Sequence, residues 1–281
     1  MRLIRHPMSN LALRTISGAV FVVIMLCGLL ISPYLFAALI IFMMVVMLME
    51  FYRMSMGRRH YLSRGLAIAA GVSEFCLLFF YFQLDIDPKF VPLPLTLLMA
   101  VMISAIFCKG KDHMEDYAYI LAGLFYIAIP LSLSNFVAFR GGSFNTLMLL
   151  GFFILIWCSD IGAYTIGRAF GRDSRKLAPE ISPKKTWSGF WGGMTFCIAA
   201  SIVLWATGIF NFPWYHCLIL AVIIDLGGVC GDLFESLWKR HFDVKDSGHI
   251  IPGHGGLLDR FDSTLIAVPL GAIYLSIANL L

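Results

Sequence analysis

Residues 231–262 read GDLFESLWKRHFDVKDSGHIIPGHGGLLDRFD, a polar stretch between two apolar runs. Asp232, Glu235, Ser236 and Lys239 recur at helical spacing and continue the face of Asp225 and Gly228. Arg240, Lys245 and Asp246 follow, then His254-Gly255-Gly256 and Asp259-Arg260-Phe261-Asp262. Asp259 and Asp262, joined by Asp232 from the preceding helix, are hard oxygen ligands suited to Mg²⁺. The lysines and arginines beside them suit a polyphosphate, and the glycines let backbone approach a ligand closely. Asp225 sits near mid-span, where an aspartate needs a partner or a proton. Cation, anion and bilayer together point to phosphoryl or nucleotidyl transfer at a membrane surface.

Two further constellations lie upstream. Asp160, Tyr164, Gly167 and Arg168 share one helical face, placing a carboxylate, a phenol and a guanidinium in line. The glycines there permit close helix approach. Ser182-Pro183-Lys184-Lys185-Thr186 reads as a tight turn with two cations and two hydroxyls before a helix start. Helix N-termini with lysines bind phosphates readily; a positive loop with a Ser/Thr cap is the plainer reading of the same residues. Glu50, near the cytoplasmic end of an apolar run, reads as reaching out to water.

These residues need a scaffold, and composition says which. Of 281 residues, 59% are hydrophobic and only 14% charged, with mean hydropathy +0.83. Soluble domains carry about 25% charged residues. Apolar runs long enough to span occur near 16–32, 34–51, 66–83, 90–108, 117–138, 146–167, 190–210, 216–236 and 263–281. The expected fold is all-α, a polytopic membrane bundle of about nine transmembrane helices. With the N-terminus cytoplasmic, nineteen of the 21 lysines and arginines fall on the cytoplasmic side, leaving Lys89 and Arg140 opposite. The +4 net charge is therefore positive-inside bias and no nucleic-acid signal. The first run reads as an uncleaved helix. The seven cysteines form no CxxC pair and read as buried small hydrophobes. Trp187, Trp191, Trp214 and Trp238 fit interfacial belts.

The chain divides by character into residues 1–145, apolar helices with short loops, and residues 146–281, with cytoplasmic loops near 168–189 and 237–262. No segment is long enough for a soluble core, so the site must be built from helix ends and those two loops.

At these residues the chain resembles the CDP-diacylglycerol synthase (phosphatidate cytidylyltransferase) family. The likeness rests on Gly231-Asp-Leu-Phe-Glu-Ser236, Lys239-Arg240, Lys245-Asp246, Gly248, Pro252, His254-Gly255-Gly256, Asp259-Arg260 and Asp262. Asp160, Ala163-Tyr164, Gly167-Arg168 and Ser182–Thr186 agree with a second block. Ser188 and Trp238 depart from it, where an acid and an aliphatic residue are usual. The resemblance implies CTP + phosphatidate → CDP-diacylglycerol + pyrophosphate at the cytoplasmic face of a bacterial-type inner membrane. It implies Mg²⁺, with a second cation open, clamped by Asp232 and Asp259 with support from Asp262 and Asp160. Asp232, Asp259, Lys239 and Arg260 would be catalytic. Lys184, Lys185, Ser182, Thr186, Arg168, Arg240, Lys245, His254, Gly255 and Gly256 would bind substrate. The partners are CTP, phosphatidate and the bilayer; a homodimer is compatible with this reading. The lipid phosphate is already an anionic nucleophile, so no strong general base is needed. A related lipid cytidylyltransferase, a CTP-dependent polyprenol kinase and an ion-coupled transporter are the rival readings. A transporter would carry broken helices in both halves, whereas here the unusual residues crowd into one.

Overall fold

The computed structural model describes residues 10–107, 113–248, 250 and 255–281. Helix α1 (Asn10–Leu30) is followed by α2 (Pro33–Met56), α3 (Tyr61–Leu84) and α4 (Pro94–Ile106). Helix α5 (His113–Gly123) runs through a π turn at Leu124–Ala128 into α6 (Ile129–Ala138). Then come α7 (Leu147–Phe170), strands β1 (Lys176–Ala178) and β2 (Ser182–Thr186), α8 (Trp187–Ala206), α9 (Trp214–His241) and α10 (Leu258–Ile277).

Among the described residues, eight helical stretches are long and apolar enough to cross a membrane. The first of the nine expected runs falls on α1, where the apolar helical stretch Ser17–Leu30 is described. The break between α1 and α2 falls at Ser32–Pro33, where the Ser32 side chain accepts from Leu35 N and proline takes the first helical position. The π turn precedes Pro130, which has no N–H to give the ladder.

Two boundaries matter for the site. Helix α9 has 28 residues, about 42 Å at 1.5 Å per residue, against roughly 30 Å of hydrocarbon. It outruns the expected 216–236 and carries Lys239 and Arg240 as its last turn instead of as loop. Helix α10 begins at Leu258, before the expected 263, so Asp259 and Asp262 lie in its first turns and not on a glycine-rich loop. Acidic groups are favoured at that end by the helix dipole.

The Ser182–Thr186 segment departs from a tight turn. It is an extended strand pairing antiparallel with β1, Lys176 opposite Thr186 and Ala178 opposite Ser182, with an irregularity between. The turn itself is Pro179–Ile181. The hairpin is fastened at its open end, where Trp187 N donates to the Arg175 carbonyl (3.0 Å) and Ser188 N to Ser174 Oγ (3.0 Å). Strand β2 runs directly into α8, whose first turn is capped by Thr186 Oγ1 accepting from Gly189 N at 3.2 Å.

Within lipid, helices associate by close packing, not by hiding apolar surface. Helices α7 and α8 pack most intimately. A Cβ on Gly162 would sit 2.6 Å from the Gly192 carbonyl oxygen. Helices α9 and α10 close in the same way, with Gly231 against the Asp262 backbone. The aromatic and methionine core of Phe36, Met43, Met47, Phe51, Phe75, Phe79 and Phe152 fills the space behind them. Trp238 joins that core: it stacks on Phe242 (5.7 Å) and meets Phe51 edge-on (5.2 Å), which replaces the belt role expected of it.

Candidate active site

Two polar clusters meet along α9. The first is a cavity of about 500 Å³ between α7, β2, α8 and α9. Helix α7 supplies Asp160, Tyr164, Gly167 and Arg168, the four residues of the expected face. Strand β2 supplies Lys184 and Lys185, and α9 supplies Gly228 and Asp232. Lys185 Nζ lies 2.7 Å from Asp232 Oδ2, with the side chains 26% and 35% exposed. Ser236 Oγ donates to Asp232 Oδ1 at 3.3 Å, and Arg168 Nη1 donates to the Tyr164 hydroxyl at 3.2 Å. Asp160 is within electrostatic reach of Asp232, Lys185, Asp225 and Arg260. At the apolar end, Ser159 Oγ donates to Asp225 Oδ1 at 2.5 Å. The second oxygen of Asp225 is buried without a partner among the described residues.

The second cluster is closed. Lys239 Nζ lies 2.8 Å from Asp259 Oδ1 and also pairs with Glu235, one turn back on α9. Asp259 Oδ2 accepts from Ser247 N (2.9 Å), Ser247 Oγ (3.0 Å) and Gly256 N (2.8 Å). Asp259 is 7% exposed and Glu235 1%. Asp262 stands between the two clusters. Its Oδ1 accepts from Ser263 N at 2.7 Å, and its charge is felt by Asp232, Lys239 and Asp160.

The expected residues therefore divide. Asp160, Arg168, Lys184, Lys185, Thr186 and Asp232 share the cavity. Lys239 and Asp259 belong to the closed cluster. Ser182 is half-buried in β2 but does not line the cavity, and Thr186 spends its hydroxyl on the α8 cap. Arg240, Lys245 and Arg260 are exposed at the polar ends of α9 and α10. Gly256 is buried and its N–H is taken by Asp259; Gly255 adopts φ +85°, beside the same carboxylate. Those two glycines thus bring backbone to a protein carboxylate, where close approach to a ligand was expected. His254 lies outside the described residues. Glu235 was placed on the face of Asp232 and Lys239 but given no role, and Glu50 was given no part in the site. The i, i+4 spacing of Glu235 to Lys239 was the signal for the ion pair that the structure shows. Glu50 is buried, 6% exposed, and does not reach water.

The carboxylates can be weighed as cation ligands. Asp160, Asp232 and Asp262 lie within electrostatic reach of one another, and carboxylates are the ligand type that a hard cation takes. Among the described residues no three Asp, Glu, His or Cys side chains converge as a finished ligand shell. Mg²⁺ commonly takes one or two carboxylates and completes its shell with water and substrate phosphate, so a site of that kind would need the nucleotide to complete it. Asp259 fits less well: a cation on its Oδ1 would have to displace Lys239.

The profile of the cytidylyltransferase family matches residues 12–278. Among curated relatives, the phosphatidate cytidylyltransferase of Staphylococcus saprophyticus is 40% identical over 162 residues, 58% of this chain and 60% of that protein. That of Bacillus subtilis is 46% identical over 116 residues, 41% of this chain and 42% of that protein. That of Staphylococcus aureus strain COL is 37% identical over 170 residues, 60% of this chain and 63% of that protein. The chain thus spans less than two thirds of each of these relatives. The profile spans nearly the whole bundle, both polar clusters included, and on that ground the chain belongs to the cytidylyltransferase family.

Proposed function

We propose that this chain catalyses CTP + phosphatidate → CDP-diacylglycerol + pyrophosphate at the cytoplasmic face of a bacterial-type inner membrane, as a step of phospholipid synthesis. The observation that carries the reading is the cavity, which gathers Lys184, Lys185 and Arg168 with Asp160 and Asp232 at the polar ends of membrane-length helices. The names of the bacterial relatives support the choice of nucleotide and lipid.

The chemistry follows from charge. A lipid phosphate oxygen attacks the α-phosphorus of CTP and forms a P–O bond. The bond from that phosphorus to the oxygen bridging the α and β phosphates breaks, and pyrophosphate leaves with the electron pair. Both reactants are anions, so their repulsion is the main obstacle. Lys184 and Lys185 would hold the nucleotide phosphates. Lys185 would exchange Asp232 for phosphate, leaving that carboxylate facing Asp160 and Asp262. Mg²⁺ held by Asp232 with Asp160 and Asp262 would supply charge neutralisation across both anions and the leaving group. Arg168, steadied by Tyr164, would hold a phosphate at the rim. The buried Lys239–Asp259 pair would fix α9 against α10 and so keep Asp232 and Asp262 face to face.

The test is pyrophosphate release by the purified protein. Stoichiometric pyrophosphate and CDP-diacylglycerol, dependent on both CTP and phosphatidate, is expected. Release of CDP in its place would move the chain to the CTP-dependent kinases, and no turnover of CTP with phosphatidate would overturn the reading.

A further inference from the structure

The apolar N-terminal half sends one acid into the closed cluster. Glu50 lies on α2, 207 residues before Leu257. Its Oε1 accepts from Leu257 N at 3.1 Å and its Oε2 from Leu258 N at 2.9 Å. These amides open α10, and that helix has no side-chain cap of its own. First-turn N–H groups need acceptors, and leaving them bare in a buried place is costly. Glu50 therefore caps α10 from another helix.

A second observation is independent of those bonds. A Cβ on Gly248 would collide with the Glu50 carboxyl group, meeting its Cδ at 2.7 Å. A Cβ on Gly256 would come 2.8 Å from Glu50 Oε2. The chain leaves side chains out at both places where Glu50 arrives. Ser247 completes the seat. Its hydroxyl lies 3.0 Å from Asp259 Oδ2 and 3.5 Å from Glu50 Oε2, so its single proton favours Asp259. Glu50 and Asp259 thus grip the same backbone from two sides, Asp259 taking Ser247 N and Gly256 N while Glu50 takes the next two amides. Beside them, Phe51 packs on Trp238, holding α2 against α9.

We infer that Glu50 is a positioning residue of the active site: from α2 it sets the start of α10, and with it the placement of Asp259 and Asp262 against α9. The kinetic part of this inference rests on the cytidylyl-transfer reading; the structural part does not. Among the described residues the hydrogen bonds of Glu50 go to Ser247, Leu257 and Leu258, none of which lines the Lys184–Lys185 cavity, so its loss should spare nucleotide binding and impair the chemical step.

Glu50→Gln is the sharpest variant. It keeps size but turns one acceptor into a donor facing a backbone N–H. In the full-length protein in lipid, kcat should fall roughly 10- to 100-fold, as small misplacements of reacting groups do. The Kd for CTP should change less than about twofold, and the melting temperature should fall by no more than the few degrees that one buried unmatched amide costs. Amide exchange at Leu257 and Leu258 should quicken. Gly248→Ala should be damaging alone but add little in a Glu50→Ala background, where the collision is relieved. Unchanged kcat, or equal collapse of CTP affinity, melting temperature and activity, would overturn the inference. Should the wild-type protein release no pyrophosphate, the transfer reading fails. Amide exchange and the Gly248 cycle, read by melting temperature, then decide whether Glu50 holds α10.

Discussion

Two lysine–aspartate pairs straddle α9, two turns apart, and differ in everything but length. Lys185–Asp232 spans 2.7 Å and Lys239–Asp259 spans 2.8 Å. The first borders a cavity and is a quarter to a third exposed. Such a pair is worth about 0–1 kcal/mol, so either partner can be exchanged for another ion at little cost. The second is nearly sealed, shares its lysine with Glu235 and has its carboxylate filled by Ser247 and Gly256. A pair of that kind is hard to break, because either partner left alone is a buried charge. The same chemistry is thus a replaceable counterion in one place and a fastening in the other.

Lys239→Met should show the largest effect. It leaves Glu235 and Asp259 without their cation, a loss of about 3–5 kcal/mol. Activity should vanish together with a steep fall in melting temperature. A stable, active variant would erase the distinction between the pairs. Asp232→Asn comes next. At limiting Mg²⁺ it should lower kcat at least about a hundredfold while the melting temperature hardly moves; joint loss of stability would make Asp232 a fastening too. Lys185→Ala should raise the KM for CTP about tenfold, the worth of one charge-assisted phosphate contact. Its membrane insertion should be normal, and wild-type kinetics would return β2 to a purely topological role. The smallest effect belongs to Asp243→Asn. This residue is exposed at φ +53°, which asparagine tolerates. Its kcat/KM should stay within about twofold of wild type, and a larger change would mean that the end of α9 itself contacts substrate.

The cavity was legible in the sequence and the fastening was not, for a physical reason. Asp160, Tyr164, Gly167 and Arg168 lie on one helix, so 3.6-residue periodicity alone puts them on a shared face. Lys184 and Lys185 announce themselves as adjacent cations before a helix start. Their strand pairing did not, because Pro183 and two lysines carry little β propensity and the partner strand is three residues long. The closed cluster depends on contacts between distant segments. Glu50 and Leu258 are 208 residues apart, and nothing local to LMEFYRM tells whether its acid faces water or a helix end. Helix ends misled in the same way: residues 237–241 and 258–262 fell in the expected 237–262 loop, yet they extend α9 and α10.

The β1–β2 hairpin has an engineering consequence. Its open end is riveted to α8 by Trp187 N and Ser188 N, and its two lysines are set by the pairing of Thr186 with Lys176. The tip, Pro179–Ile181, therefore carries no part of that registration. It is an address on the polar rim of the bundle where a fluorophore or an affinity peptide can be grafted a few residues from Lys184 and Lys185. A reporter there would watch the cavity fill without sitting in it.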